Sequence, residues 1–539
     1  MKKRYIWAGA VLWALGSGFI VLHMAQGDVE GKIKQWLAVH SCSAEDVKFS
    51  LLSGELKVKG ITLEYDEGGH NITGRVESAL LSGLHRGAFD AENGDLTPLA
   101  DDFVMEGITF ERVKGEEKYE GRIKSLYGKG WYENLATGAQ AMLEDKSMRT
   151  LLEQLRRYRV DELTYEGYEV KMPVSMPLPD GSLRVVTMIS NIDKVSLPDG
   201  IGFKPGEEKG ELRVSAVGEG FTMEMPGWMS ARMAKIELRD VYMPETDKLL
   251  ALLEVSERLD ARSPSEADLD EYMDKLLAAW EGHLPFGLFR LESMECTYGP
   301  EMKDVPGWSL EELACTLDNG VRSEAGLSMK GMRSRGLDQE IEREVRIPAK
   351  LREKFLPQGL VLDASTQVSL AALSGESEPG ENASEPDTVT LTFGIRGLGR
   401  THSVFEVLLE KDSGTQNLSD LKKMLMNAMV GGANLEYTDE GFMPLAFELC
   451  KDSSGQSAAA LKSEIVQLAE SLQKEMGILG LSKAVGIMVD KPGVLKISCM
   501  LEEPVPLAAL GLFVLGTPEG MEVMANAQPG EKTLEELLQ

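Results

Sequence analysis

The sequence predicts an α+β protein in which a single N-terminal transmembrane helix is followed by a long curved, mainly antiparallel β-sheet with interspersed helices. Three features of the 539-residue chain support this fold class. Residues 5–24 are an uninterrupted apolar stretch. Behind it, segments in which apolar and polar residues alternate recur many times, which is the pattern of half-buried strands. Between them lie amphipathic segments with apolar residues three or four apart, which is the pattern of helices.

The apolar stretch is long enough to cross a bilayer. As a helix with about 1.5 Å rise per residue, residues 5–24 would span roughly 30 Å, the thickness of the hydrocarbon core. Lys2, Lys3 and Arg4 precede it. The positive-inside rule then leaves residues 1–4 as a cytoplasmic stub and places the bulk of the chain across the membrane. We therefore expect a single-pass protein of the bacterial inner membrane with most of the chain in the periplasm.

A cleavable signal peptide is the alternative interpretation of this stretch. Such a peptide ends in a small-x-small site. Ala25 has His23 two positions before it, which is a poor match. Cleavage after Gly16 would leave only residues 5–13 as the apolar core. The sequence favours an uncleaved anchor, and whether the segment is removed stays open.

The charge balance limits the classes of partner. The chain has 57 basic and 87 acidic residues and a formal net charge of −30. Such a surface disfavours nucleic acid and repels anionic phospholipid headgroups. We therefore expect no nucleic-acid partner and a membrane connection through residues 5–24 alone. The hydrophobic content of 43% is enough for well-packed cores, and the length suggests about three domain-sized units.

The cysteines do not form a disulfide framework in a chain of this length. Their odd number leaves at least one thiol free, and none of them forms a CxxC pair. Whether any of them pair stays open from the sequence. The five are Cys42, Cys296, Cys315, Cys450 and Cys499.

The first strands are predicted directly after a short amphipathic segment. Val47, Phe49 and Leu51 alternate with polar residues, a Ser-Gly turn follows, and Leu56 and Val58 alternate again. This arrangement predicts a β-hairpin.

An internal repeat predicts bent strands. Residues 59–64 (KGITLE) recur as residues 106–111 (EGITFE), and residues 163–170 form a looser third copy. In the first two copies the apolar residues switch between odd and even positions at Gly60 and Gly107. Since side chains alternate between faces, such a switch needs a bulge or bend to keep the apolar set on one face, and glycine permits that backbone at low cost. A coincidental similarity of strand patterns is the alternative.

Helices are predicted near 28–40, 145–158, 264–282, 418–430 and 457–476 from apolar spacing and from capping residues at their ends. In the last of these, the residues expected to face inward are Leu461, Ile465, Leu468 and Leu472.

The composition and the distribution of strand and helix patterns predict the domain boundaries. Residues 25–373 form a strand-rich periplasmic region, residues 374–387 a flexible acidic linker or loop, and residues 388–539 a C-terminal α+β region. The apolar run at 505–516 is too short to span a bilayer and is expected to be a buried helix or strand. Further strands are predicted at 183–189, 234–241, 288–298, 360–370 and 388–393.

Motifs with a known chemical mechanism are absent from the sequence. It contains no HExxH, GxSxG, GxGxxG or phosphate-binding GxxxxGK[ST] motif. His40 and Cys42 lie close together, but two ligands do not make a zinc site. The 27 methionines are typical of irregular apolar packing, with copper(I) binding as a weaker alternative. We therefore predict no catalytic, cofactor-binding or metal-binding residues, no cofactor and no enzymatic activity.

Two parts of the chain resemble known bacterial envelope families. The anchor, the short helix and residues 47–63 (VKFSLLSGELKVKGITL) resemble the opening of AsmA-like proteins. Residues 435–442 (LEYTDEGF), followed by a helix and by residues 492–497 and 503–506, resemble YdgA-like proteins of unknown function. The resemblance covers two pieces of the chain and includes no catalytic residue. It implies an inner-membrane-anchored periplasmic protein with a long curved sheet and, for AsmA-like members, a role in lipid movement or outer-membrane maintenance.

These observations lead to one expected function and two alternatives. We expect a non-enzymatic envelope protein whose curved sheet presents an apolar groove to phospholipid or to an outer-membrane client protein. The first alternative is a scaffold for envelope assembly that pairs exposed sheet edges with partner strands. The remote alternative is an enzyme without a recognisable motif. The sequence leaves the ligand, the client and the oligomeric state open.

Overall fold

The computed structural model describes most of the chain from residue 42 to residue 538. The predicted membrane helix at 5–24, the helix at 28–40 and residues 145–157 lie outside the described residues. Of the helices that the structure describes, none has the length and apolar composition needed to span a bilayer. The described residues are 42–50, 53–67, 70–85, 97–114, 117–133, 158–177, 183–201, 212–243, 246–261, 271, 272, 275, 276, 279, 286–302, 305–319, 322–371, 387–408, 428–506 and 521–538.

The chain divides into two compact units. Unit 1 comprises Met1–Phe286 and Thr297–Lys303, and unit 2 comprises Gly287–Cys296 and Asp304–Gln539. Both contain a large antiparallel sheet with some helices, as predicted for the fold class. The segment 374–387 lies outside the described residues except for Asp387, which begins a strand. That segment joins two strands of unit 2 that pair with each other.

Unit 1 is built as a meander of antiparallel strands. Strands β1 and β2 both pair with β3, and from β3 to β10 each strand pairs with the next along the chain. The predicted hairpin is confirmed, with Val47 opposite Val58 and Phe49 opposite Leu56. The elements are β1 (Cys42–Ser43), β2 (Asp46–Ser50), β3 (Glu55–Glu67), β4 (His70–Ser82), β5 (Thr97–Lys114), β6 (Glu117–Glu133), β7 (Tyr158–Pro177), β8 (Leu183–Leu197), β9 (Leu212–Met225), β10 (Met229–Met243), helix α1 (Thr246–Ala261) and a 3₁₀ turn (Pro300–Met302).

Several sequence predictions can be compared with the described residues of unit 1. Tyr158 was expected to end a helix but begins strand β7. The described residues of the predicted helix at 264–282, which are 271, 272, 275, 276 and 279, are helical, and Ala279 is buried. The strands predicted at 183–189 and 234–241 are confirmed within the longer β8 and β10.

The repeated glycines form a row across unit 1. Gly60, Gly107, Gly167 and Gly220 lie on β3, β5, β7 and β9 with φ of 60°, 62°, 64° and 68°. Each of them lies opposite a residue of the neighbouring strand, and the register of the two strands skips that pair. A Cβ on Gly107 would overlap the carboxyl group of Glu77 on β4. The predicted switch of the apolar residues between odd and even positions is therefore confirmed. At each switch the pairing of the two strands is interrupted locally, and neither strand contains an inserted residue.

The interruption keeps the apolar residues on one face of the sheet from β3 to β7. On β4, the buried residues are even-numbered before Glu77 (Ile72 and Val76) and odd-numbered after it (Ala79 and Leu81). The sequence pattern showed this switch only in the strands that carry glycine. The resulting core contains Cys42, Val47, Leu56, Val58, Ile61, Val76, Ala79, Leu81, Ala100, Phe103, Met105, Ile108, Ile123, Leu126, Trp131 and Val160.

The described residues of unit 2 have the same design as those of unit 1, with nine strands and more helices. From β11 to β19 each strand pairs antiparallel with the next. The elements are β11 (Leu288–Tyr298), β12 (Trp308–Asn319), β13 (Arg322–Ser334), α2 (Arg335–Val345), α3 (Ala349–Phe355), β14 (Leu362–Ala371), β15 (Asp387–Ile395), β16 (Gly399–Leu408), β17 (Met429–Asp439), α4 (Phe442–Ser454), α5 (Ala458–Met476), α6 (Leu481–Asp490), β18 (Val494–Pro506), β19 (Met521–Gln528) and α7 (Leu534–Leu538).

Helix α5 confirms the predicted ends but corrects the predicted face. The Ser457 side chain accepts a hydrogen bond from the Ala460 N–H (3.3 Å), and Gly477 ends the helix in the left-handed conformation. Leu461 is buried as expected, whereas Leu468 is 61% exposed and Leu472 is also exposed. The buried stripe instead includes the small residue Ala469, which packs in the cluster that contains Ala484 of α6.

The start of β17 corrects a second helix prediction. Met429 and Val430 were placed in a helix at 418–430, but they begin a strand, and residues 418–427 lie outside the described residues. Val430 is fully buried and lies opposite Val407 and Val505. Cross-strand packing of β-branched residues therefore outweighs the local helical pattern.

The other strand predictions in unit 2 agree with the structure. The strand at 288–298 is confirmed as β11, and those at 360–370 and 388–393 correspond to β14 and β15. Of the apolar run at 505–516, residues 505 and 506 end strand β18 and the rest lies outside the described residues.

Candidate functional site

One face of the unit 2 sheet is apolar and partly open. Leu327, Leu391, Phe393 and Leu435 lie on this face with exposures of 52%, 42%, 51% and 37%. Large apolar side chains with such exposure, clustered on one surface, are typical of binding sites rather than of cores. We call this surface the apolar strip and define it by residues 327 and 329 of β13, 364 and 366 of β14, 391 and 393 of β15, 401 and 403 of β16, and 435 and 437 of β17.

The strand registers bring these residues together in two cross-strand rows. The first row is Leu327, Thr366, Leu391, Ser403 and Leu435. The second row is Met329, Ala364, Phe393, Thr401 and Tyr437.

Side-chain size alternates from strand to strand within the strip. Strands β13, β15 and β17 carry leucine, methionine, phenylalanine and tyrosine, whereas β14 and β16 carry alanine, serine and threonine. Because neighbouring strands lie about 4.8 Å apart, the large side chains form ridges separated by about 10 Å. Between the ridges lie two troughs with floors of small residues.

The trough over β16 is bounded at both ends by aromatic side chains. Phe405 follows Ser403 on the same face, and at the other end a Cβ on Gly399 would lie 2.7 Å from the Tyr437 hydroxyl. The floor from Phe405 to Gly399 is about 20 Å long at the usual rise of a strand. Beside it, helix α6 packs over β18 and β19 through Ala484 and Met488.

A polar group closes the Tyr437 end of this trough. The Tyr437 hydroxyl donates a hydrogen bond to Asp439 Oδ2 (3.1 Å), and the N–H groups of Gly441 (3.1 Å) and Met443 (2.9 Å) also donate to this carboxylate. Burial raises the pKa of Asp439 despite these bonds. Burial, together with the negative charge of Asp439, raises the pKa of Tyr437. The pair positions the aromatic ring at the trough and joins β17 to the first turn of α4.

A charged cluster anchors the strand ends on the opposite face. Arg396 Nη2 lies 2.8 Å from Glu311 Oε2, and Arg396 Nε lies 2.8 Å from Asp363 Oδ2. The bonds from Arg396 lower the pKa of Glu311. Burial raises the pKa of Asp363, but the bonds from Arg396 and from the Gly331 N–H outweigh this effect and lower it. These ion pairs join strands β12 and β14 to the turn after β15, so they support the strip from behind.

Unit 1 carries a concave surface of a different character. A trough of ≈ 510 Å³ over β3–β7 is lined mainly by threonines, glutamates and basic residues, with two glycines and Phe110. Several of its charges are paired, with Glu169 2.7 Å from Arg122 and 3.4 Å from Lys171. It offers no apolar surface comparable with the strip.

The described residues provide no arrangement typical of metal or thiol chemistry. They contain no group of three or more His, Cys, Asp or Glu side chains that could hold a metal ion. The five cysteines are free. Burial raises the pKa of the Cys42 thiol to about 11, so this thiol is protonated at neutral pH. His40 lies outside the described residues, and the weak His40–Cys42 alternative therefore remains a sequence hypothesis.

The sequence predicts an apolar groove in the curved sheet but identifies no residue of the strip. Alternation showed which residues of each strand share a face, but not which strands are neighbours or which face stays uncovered. The signal in the sequence was the change from bulky to small residues between successive strands, for example from Leu391 and Phe393 to Thr401 and Ser403.

Comparisons with known proteins add one finding. A family model described as "Uncharacterized protein" matches residues 385–528, which contain β15–β19 and the trough over β16. No curated protein and no solved structure matches the chain.

Proposed function

We propose that the chain is a non-enzymatic protein of the bacterial inner membrane, anchored by residues 5–24, that binds the acyl chain of a lipid on the apolar strip in the periplasm. The observation that carries this proposal is the corrugated, partly exposed face of β13–β17, with Leu391 and Phe393 as its central ridge. Such a surface costs free energy when it faces water and is stabilised when an apolar ligand covers it.

The dimensions favour a single acyl chain. Ridges about 10 Å apart leave room for one extended hydrocarbon chain between their side chains. The floor of the β16 trough is about 20 Å long. The acyl layer of one leaflet is roughly 15 Å thick, half of the hydrocarbon core. An acyl chain therefore fits between Phe405 and Tyr437.

The small area argues against a stable protein partner at this place. Between two ridges the trough covers about 200 Å², whereas a standard protein interface buries about 800 Å² on each partner. An open trough contacts only one side of a chain, so binding is expected to be weak and reversible. Weak binding suits a protein that passes lipid on.

The net charge of the chain indicates which lipid headgroups it would bind. With a net charge of −30, the chain repels anionic headgroups. The polar end of the trough is the Tyr437–Asp439 pair, which adds no positive charge. We therefore expect zwitterionic or uncharged lipids to be preferred over anionic ones.

The test is photo-crosslinking of lipid to the full-length chain in growing cells. Cells are fed a fatty acid with a photoactivatable group in its chain, irradiated, and the yield of lipid adducts on the purified protein is measured. In Ser403→Phe a ring fills the floor of the trough, and we expect this variant to lose most of the adducts that form on β15–β17. The matched control is His402→Phe, which adds the same ring at an exposed site on the opposite face of the same strand.

Two results would count against the proposal. One is an equal adduct yield in wild type and Ser403→Phe. The other is an equal loss in both variants, because it would show that the phenyl group acts on folding rather than on the trough. Fractionation of the protein with soluble cytosolic material would remove the membrane and periplasmic part of the proposal.

A further inference from the structure

We propose that the outer edge of strand β8, at the end of the β7–β8 hairpin, binds an extended segment of a partner protein as an added antiparallel strand. The hairpin end, called the arm, consists of residues 172–177 of β7 and 183–188 of β8. This inference rests on unit 1 and is independent of the apolar strip.

The arm extends beyond the strands on either side of it. Its two strands pair with each other as far as Pro177 opposite Leu183. The pairing of β7 with β6 ends at Lys171, and the pairing of β8 with β9 begins at Ile189. Within the described part of the chain, no strand pairs with either outer edge of the arm. Six residues at the usual strand rise make the arm about 20 Å long.

The arm exposes apolar side chains in an otherwise acidic protein. Leu183 and Val185 are 68% and 65% exposed. Arg184 is the charged residue of the described arm, and its Nη1 lies 3.1 Å from Glu301 Oε1 in the 3₁₀ turn of unit 1. This ion pair lies on the β8 side of the arm, because the turn with Glu301 packs on Gly227 directly after β9, and Leu183 and Val185 stay exposed beside it. An isolated two-stranded ribbon is only marginally stable in water, so a further strand would stabilise it.

The two edges of the arm differ in their ability to accept a strand. The β7 edge contains Pro173 and Pro177, which lack an N–H group, and prolines are a common means of blocking strand addition. The β8 edge, residues 183–188 (LRVVTM), contains no proline and is rich in residues that favour strands. Strand addition is therefore directed to β8.

The charge of the chain indicates the kind of partner. A second copy of the chain is disfavoured because it would bring together two proteins that each carry a net charge of −30. A bilayer surface is disfavoured because the described arm lacks the tryptophan, tyrosine and clustered basic residues that hold proteins at that interface. The expected occupant is an extended segment of another protein with alternating apolar residues and a neutral or positive charge.

The experiment uses a defined peptide and two proline variants of the full-length chain. Fluorescence anisotropy measures binding of the labelled peptide Lys-Val-Thr-Val-Thr-Val-Lys. Val185→Pro removes an N–H from the β8 edge, and we expect it to weaken binding by about fivefold to tenfold, the effect of losing one or two main-chain hydrogen bonds. Ser175→Pro alters the opposite edge at the same rung of the hairpin, where Ser175 faces Val185, and should bind like wild type.

Circular dichroism on both variants checks that the sheet is intact. Equal peptide binding by wild type and Val185→Pro would overturn the proposal, and so would an absence of binding to wild type. Binding of zwitterionic phosphatidylcholine vesicles that is lost in Val185→Asp would also overturn it, because the arm would then contact lipid instead of protein.

Discussion

Unit 1 buries the apolar face of its sheet, whereas unit 2 leaves part of the corresponding face open. Leu56, Leu81 and Leu126 in unit 1 have 0% exposure, while Leu391 and Phe393 in unit 2 are about half exposed. Both units are antiparallel meanders with alternating apolar residues. The difference therefore arises from what fills the space beside the large side chains.

In unit 1, aromatic rings cover the small residues. Phe103 is buried and lies opposite Gly128, and its ring occupies the space that a Cβ on this glycine would need. Phe110 covers Gly121 in the same way, but this pair lies at the polar trough over β3–β7. In unit 2, Thr366 and Ser403 occupy the corresponding small positions beside Leu391, and their neighbours leave the troughs open. The same pairing of large and small residues thus produces a sealed core in one unit and a surface for a ligand in the other.

The largest expected effect is a difference in the free energy of unfolding between a substitution in the buried core of unit 1 and one in the apolar strip of unit 2. Leu126→Ala creates a cavity in the sealed core, and we expect the local free energy of unfolding to fall by about 2–5 kcal/mol. Leu391→Ala removes a half-exposed side chain and should cost about 1 kcal/mol or less. Hydrogen exchange of the full-length protein in increasing urea measures both values, on β5–β7 and on β14–β16. Similar losses would show that the strip is packed as tightly as the core.

The second effect tests the glycine row of unit 1. Gly107→Ala places a Cβ in the left-handed region and against Glu77, so it should destabilise unit 1 by about 1–3 kcal/mol. Gly74→Ala is the control, because its Cβ would meet Leu63 at an ordinary 3.6 Å. The same exchange experiment reports both variants. Equal behaviour of the two would mean that the row is not needed to keep the apolar face continuous.

The smallest effect concerns pH at the end of the trough. The folded protein raises the pKa of Asp439 above its ordinary value, so its charged form is less favourable in the fold than in the unfolded chain. Acidification from neutral pH through the raised pKa should therefore increase the stability of wild type relative to Asp439→Asn. The gain should level off below the ordinary pKa of about 4. An opposite slope for β17 and α4 would contradict the account of this pair.

Sequence reasoning predicted the local features and missed those that depend on neighbouring strands. The glycine switches at Gly60 and Gly107 and the capped helix α5 followed from spacing and turn chemistry. The switch at Glu77 on β4 did not, and neither did the one at Lys124 on β6, between buried Ile123 and buried Leu126. These residues have no conformational signature of their own. On α5 the inward positions of Leu461 and Ile465 are confirmed, whereas Leu468 and Leu472 are exposed because Ala469 makes the close contact instead. The strip itself depends on cross-strand registers, which periodicity does not specify.

The most direct test of the contrast between sealed and open faces is to map lipid adducts along the chain. Full-length protein from cells fed the photoactivatable fatty acid is digested, and the modified residues are identified by mass spectrometry. We expect adducts on the described part of unit 2 to concentrate on β13–β17, on the side of Leu391, Phe393 and Leu435, with the sealed core of unit 1 unmodified. Adducts on the core strands of unit 1, or on the opposite face of unit 2 around Thr392 and His402, would contradict the account.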